Sequence, residues 1–268
     1  MKHDILRLLA GILALTGLFS CSTPNLTPSA GLRSGDSAVN RDSIDAILNN
    51  PTERPGLATG WGNEKASAIT NQSFVRASSK PAGTDAIYYN NKEGIEAMGY
   101  SEKISAMQTA AGDLVEWGIK GRLGFLATYK DYRHGSGSSR RLVAGDSNSN
   151  YTIAIYNRSK STLEIVTSVD GLDVIDGKSA SFSKRGYLVG PGKTLEIDGF
   201  RTTTETVAAF KFSSVANSYA SQRHGDTRNV GVIGIAVFTQ KGVNPWTWMP
   251  EEVRQRDQAQ PFAQAPGL

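Results

Sequence analysis

The sequence predicts a mainly β protein: an antiparallel β-sandwich, jelly-roll or Ig-like, with a small helical insertion, preceded by a signal peptide and a disordered tether. Three observations predict it. Beyond Gly112 short β-branched and aromatic runs recur at close spacing: LVEWGI, RLGFLATY, RRLVAG, YTIAIYN, TLEIVTSV, YLVG, TLEIDGF, TVAAFKFSSV and NVGVIGIAVFTQ. Nearly every gap between them holds Gly, Pro, Asn, Asp or Ser, the residues that turn a chain. Within the runs apolar and polar side chains alternate, the period of a strand with one face buried.

The alternation assigns faces. In Thr194–Phe200, Leu195, Ile197 and Gly199 share one side, opposite Glu196 and Asp198. In Tyr151–Asn157, Tyr151, Ile153, Ile155 and Asn157 oppose Thr152, Ala154 and Tyr156. Asn229–Gln240 is apolar on both faces, so it reads as a central strand, with Gly231 and Gly234 allowing a bulge or close backbone approach. Upstream, AITNQSFVRA within Ser67–Ser78 and the run DAIYYN read as strands. KEGIEAM and SEKISAMQTAA carry helical spacing, which places the helical insertion near residues 91–111.

Four segments follow: 1–20 signal peptide, 21–58 tether, 59–249 sandwich domain, and 250–268 a disordered or short helical tail over Glu251–Gln258. Residues 22–58 are rich in Ser, Pro, Asn, Thr and Gly and bury too little apolar surface to offset their ordering entropy. Only RDSIDAILNN departs from this, where Ser43 can cap one turn bearing Ile44, Ile47 and Leu48.

At the N-terminus, Lys2 and Arg7 precede the apolar run Leu8–Phe19, which is shorter than the ~20 residues of a spanning helix. The run ends in Leu18-Phe19-Ser20-Cys21, which resembles the lipobox of bacterial lipoproteins; Phe19 stands where a small residue is usual. The resemblance implies cleavage before Cys21, lipidation (palmitate included) of that thiol, and a membrane partner through the acyl chains. Ser22, in place of an aspartate, implies the outer membrane by the enterobacterial pattern. Cys21 is the only cysteine, so an intrachain disulfide and a thiolate zinc site are both excluded. The formal charge of +4 falls to +3 without residues 1–20, which hold two basic groups and one acid. No long basic run is present, so no nucleic-acid partner is expected. No cofactor is expected either.

Chemistry-bearing residues fall into three sets. In SVDGLDVIDGK, Asp170, Asp173 and Asp176 stand three apart, but Asp170-Gly171 and Asp176-Gly177 are hairpin-turn dipeptides. Two reversals with a short strand between would spread the carboxylates, which argues against a cation site. Asp146-Ser-Asn148-Ser-Asn150 opens like an EF-hand loop, but Tyr151 and Asn157 occupy the positions that need Gly and Glu. Arg-His-Gly occurs twice, and the surrounding loops place His134, Arg140, Arg141, His224 and Arg228 as candidate contacts for an anionic ligand. They are also the only loops from which a hydrolase could draw a histidine, although no G-x-S-x-G elbow accompanies them. Trp61, Trp246 and Trp248 flank the domain and form either lids on the core or a stacking surface for glycan.

The globular region also carries N-R near a strand end, S-V-D-G-x-x-V, G-Y-x-x-x-P, I-x-G-[WF]-R, V-A-A-F-x-F, S-Y-A and N-V-G-V-I-G, with GWGNE and YYNNKEGIEAM upstream. This set resembles a group of uncharacterised exported proteobacterial β-rich proteins, over roughly residues 60–240. The resemblance implies a shared β-rich fold and brings no activity. Tyr187, Arg201, Tyr219 and Asn229 match its polar positions, as ligand contacts or as hydrogen-bonded core residues. The expectation is a lipid-anchored envelope protein, more an interaction or scaffold module for an envelope protein or glycan than an enzyme. A glycan-binding module and a hydrolase are the alternatives.

Overall fold

The computed structural model describes residues 54–69, 72–99, 102–130, 140–246 and 250–261. All of these residues belong to one compact unit, Leu48–Leu268. The signal peptide, Cys21, the Ser43 turn, His134 and Trp248 lie outside the described residues.

The fold is mainly β, as the alternation requires. The first strands are β1 (Leu57–Ala66) and β2 (Gly83–Asn90), followed by helix α1 (Lys92–Ala97), β3 (Glu102–Ile104) and β4 (Gln108–Ala110). Next come β5 (Val115–Gly121), β6 (Gly124–Phe125), β7 (Thr128–Lys130), β8 (Arg141–Ala144) and β9 (Thr152–Asn157). The chain continues through β10 (Leu163–Val169), β11 (Leu172–Asp173), β12 (Tyr187–Val189), β13 (Thr194–Ile197) and β14 (Gly199–Arg201). It ends in β15 (Thr206–Ser214), helix α2 (Tyr219–His224), β16 (Val232–Thr239) and helix α3 (Pro250–Asp257).

Three sheets enclose one main core. The largest runs β11-β10-β16-β2-β8-β7-β3, with β12 sharing the outer edge of β10; a second runs β13-β9-β5-β4, with β6 folded onto β5; the third is β1-β15-β14. Every pairing is antiparallel except β2 with β8. Trp117, Ile153, Ile155, Phe200, Phe210 and Phe212, from the second and third sheets, meet Ile87, Ile165, Ile233 and Val237 from the first. Strand β16 lies between β10 and β2, as its two apolar faces predict. Ile233, Ile235 and Val237 enter the main core, while Ala236 and Phe238 pack with Val166 and Phe74 on the other side.

Three expectations need correction. KEGIEAM is helical, with the Asn91 side chain accepting from the Gly94 amide, but SEKISAMQTAA is not. It divides into β3 and β4, because pairing with β7 and β5 satisfies its backbone and buries Ala110, which outweighs helical spacing in so short a run. AITNQSFVRA, expected as a strand, is an irregular strap in its described parts, and the first strand instead begins at Leu57, inside the segment assigned to the tether. The helix expected near Glu251–Gln258 is α3.

Candidate functional site

The two Asp-Gly reversals form as expected. Val169 faces Leu172 across Asp170-Gly171, whose φ angles of 54° and 80° are those of a type I′ turn. The second reversal spans Val174–Gly177: the Asp173 amide donates to Lys178 O (2.8 Å) and the Gly177 amide to Asp173 O (2.9 Å). The three carboxylates take separate partners. Asp176 pairs with Lys184; Asp173 Oδ1 accepts from the amides of Ile175 (3.0 Å) and Asp176 (3.1 Å). Burial pushes the Asp173 carboxyl up, and its Oδ2 has no partner. Among the described residues no three His, Cys, Asp or Glu side chains are grouped to hold a metal.

Asp170 is more than a turn residue. It is 4% exposed, and its carboxylate accepts from the Thr59 amide (2.8 Å), the Gly231 amide (2.9 Å) and the Tyr89 hydroxyl (2.6 Å). Tyr89 gives its single proton to Asp170, so it accepts from Thr59 (2.8 Å), which in turn accepts from Tyr151 (2.6 Å). This directed chain of O–H bonds ties β1, β2, the segment before β9 and the β10 turn to one anion. Burial, against those hydrogen bonds, raises the Asp170 carboxyl to about 6 and raises both tyrosines well above their ordinary value. The hub is closed to ligands and its role is structural.

The residues proposed from the two Arg-His-Gly loops and from the tryptophans do not form one site. His224 ends α2, and its Nε2 lies 2.9 Å from Gly177 O, so it fastens that helix to the second reversal. Arg228 is exposed and pairs with Asp226 (2.7 Å). Arg140 lies over the Tyr88 ring at 5.1 Å. Arg141 is buried; its Nη2 donates to Asp85, which also accepts from Trp117 Nε1 (2.8 Å). Burial lowers the Arg141 pKa despite that carboxylate, and Nη1 is unpartnered. Trp61 is 49% exposed on β1, edge-on to Tyr219 at 4.7 Å. Trp246 is half-buried against the core, where a Cβ on Gly112 would meet its ring at 2.8 Å. Tyr219 and Asn229 likewise pack on the two reversals, at Gly177 and Gly171.

A cleft lined by charged and aromatic side chains lies elsewhere. β12 and β13 are consecutive, joined by the turn Gly190–Lys193, yet they belong to different sheets: among the described residues β12 pairs only with β10 and β13 only with β9. The would-be hairpin is therefore held open as a V, and a cleft of about 580 Å³ occupies it. The strap closes one side. Its near end is held by Arg201, whose Nη1 donates to Ser67 O (2.7 Å) and Nη2 to Ser67 Oγ (3.2 Å). Its far end is held by Arg76, which pairs bidentately with Glu164 (2.7 and 3.0 Å) and lies 3.6 Å from the Phe238 ring centre. Burial pushes the Glu164 carboxyl up, but Arg76 and the Gly186 amide (2.7 Å) outweigh it and hold the carboxyl below its ordinary value. Gly186 is required there, since a Cβ would lie 2.3 Å from Ile165 O.

The charges in the cleft are unequal. Its carboxylates each have a cation: Glu164 has Arg76, Glu196 has Lys120 (2.6 Å), and Asp198 has Lys65 (2.9 Å). Its two arginines, Arg185 and Arg201, pair with no carboxylate of the described residues. Arg201 is bonded only to neutral acceptors, including Tyr187, whose hydroxyl accepts from Nε (3.1 Å) and so keeps its own proton to donate. Burial raises the Tyr187 pKa, with Asp173 adding to it against Arg201, so the phenol is protonated at neutral pH. Phe74, Ile175, Leu188 and Leu195 supply apolar walls.

The chain matches no family model, and comparison with curated proteins and with solved structures likewise yields no match. Among the described residues no helix is long and apolar enough to cross a membrane.

Proposed function

We propose that this chain is a lipid-anchored cell-envelope protein, acylated on Cys21 and held at the outer membrane, whose β-rich domain is a non-catalytic interaction module that receives its ligand in the β12–β13 cleft. The anchor rests on the lipobox-like Leu18–Cys21. One observation supports the binding role above the others: among the described residues no carboxylate pairs with Arg201 or Arg185, and Arg185 acts on Glu164 only at a distance, while each of the cleft's acids is paired internally. Arg201 is half-buried and Arg185 stands exposed at the cleft's rim, and a cation without a paired anion gains from a ligand that supplies one. The histidine and tryptophan sets lend less to a hydrolase or a glycan module, because His224 is engaged by Gly177 and Trp61 and Trp246 rest on separate elements.

Each half of the proposal has its own test. Cys21→Ser should abolish acyl labelling and release the protein from membranes; unchanged labelling would remove the anchor. A photo-crosslinking residue at Val75, in the cleft wall, should trap an envelope component that the same residue at Leu123, an exposed turn position, does not. Equal trapping at both positions would remove the binding role.

A further inference from the structure

The unpaired edge of β13 lies along the cleft. The Asn157 amide donates to Lys193 O (2.9 Å), so 157/193 is a hydrogen-bonded pair of the antiparallel ladder. Alternation then makes Ile155/Leu195 and Ile153/Ile197 the next such pairs, and turns the backbone groups of Thr194 and Glu196 away from β9. The following outward group, Asp198 O, confirms the phase, because it accepts from the Phe210 amide of β15 (2.8 Å). Among the described residues Thr194 and Glu196 are thus left with a free edge, with Glu196 on the cleft, and four strand residues at about 3.4 Å each give it a length of roughly 14 Å. At the open mouth of the V stand Tyr187, Arg185 and Arg201. Among the described residues the Tyr187 proton, the second N–H of Arg201 Nη2 and the Arg185 guanidinium have no bonded acceptor.

We infer that the cleft takes a short extended peptide by strand addition to β13, with a carboxylate of that peptide held at the mouth by Tyr187, Arg201 and Arg185. Main-chain bonding to Glu196 supplies the backbone component, Leu188, Leu195 and Phe74 receive apolar side chains, and the donor cluster selects the charge. The free carboxylate can be a chain terminus or an acidic side chain; the chemistry at the mouth is the same. This inference rests on the cleft being the binding site of the module proposed above, and it adds the ligand class.

Fluorescence anisotropy with the full chain tests it. The probe is a fluorescein-labelled pentapeptide of alternating threonine and valine ending in a free leucine carboxylate. Its amide is the control, and an amidated version with glutamate at the last position represents the side-chain source. The free acid should bind at least ~10-fold more tightly than the amide, a charge-assisted bond or more. Arg185→Glu, which alters an exposed side chain, should weaken acid binding ~10-fold and leave the amide unchanged. Tyr187→Phe should weaken the acid several-fold. If the glutamate amide binds like the acid, the carboxylate source is a side chain; if it binds like the plain amide, the source is a terminus. Equal binding of acid and amide, no effect of Arg185→Glu, or no binding of any peptide at millimolar concentration overturns the inference. Decanoate or phosphatidylglycerol vesicles binding in the cleft where the peptides do not would overturn it too, while leaving the module reading intact. Only the failure of every probe together with equal trapping at Val75 and Leu123 removes both.

Discussion

The Asp170 hub and the Arg201 cleft present the same electrostatic problem with opposite signs and opposite access. Among the described residues each holds a charged group bonded to neutral partners with no ion pair. Asp170 is enclosed by Thr59, Tyr89 and Gly231, so nothing can reach it and its energy goes into joining strands. Arg201 is bonded by Ser67, Tyr187 and Thr203 but opens on a cleft, so its uncompensated charge is available to a ligand. An unpaired charge therefore identifies a binding site only where solvent can replace the missing partner.

The largest effect should come from breaking the closed member of the pair. Asp170→Ala strands two amides and a hydroxyl in the core and places a Cβ residue other than Asn or Asp at positive φ. It should cost about 3–5 kcal/mol in urea unfolding, and a cost under about 1 kcal/mol would deny the hub its role. Asp170→Asn tolerates that backbone conformation and should cost less, about 2 kcal/mol, because its NH₂ group opposes one of the amide donors.

The pH dependence sharpens the same contrast. Between the unfolded value of 3.8 and about 6 the native Asp170 keeps a proton that the unfolded chain has released. Stability from this group therefore falls as pH rises through that window, by about 2–3 kcal/mol in all. Wild type minus Asp170→Asn, from unfolding curves at pH 4 and pH 7, isolates it; a difference that grows with pH in favour of wild type would contradict the assignment.

Arg76→Ala should cost about 2–3 kcal/mol by leaving Glu164 buried without its cation and freeing one end of the strap. Arg185→Glu should be smallest for stability, within about 0.5 kcal/mol, yet it should carry a large effect on binding. Comparable stability losses in the two variants would mean that Arg185 is structural after all.

The closed region was more legible in the sequence than the open one. Period-two alternation placed Ile153, Ile155, Ile197 and the two-faced Asn229–Gln240, and the Asp-Gly dipeptides placed both reversals. These signals are local, set by side-chain direction and by the φ a turn demands. The burial of Asp170 was not legible, because its donors lie 111, 81 and 61 residues away in sequence. Helix α2 left only its ends as a signal: Ser218 as the cap, and Gly225 at φ 63° as the stop. The cleft exists because two consecutive strands join different sheets, which no spacing within GYLVGPGKTLEI reveals. Tyr187 and Arg201 were visible as polar positions within a resembling pattern, whereas Arg185 carried no signal beyond being basic.

Backbone exchange at Glu196 tests the central claim most directly. Hydrogen–deuterium exchange of the full chain, with and without the free-acid peptide, should show Glu196 slowed at least ~10-fold on binding, as a new strand closes its edge, with Thr59 in the Asp170 hub unchanged. Peptide binding that leaves Glu196 exchanging at its free rate would contradict strand addition in the β12–β13 cleft.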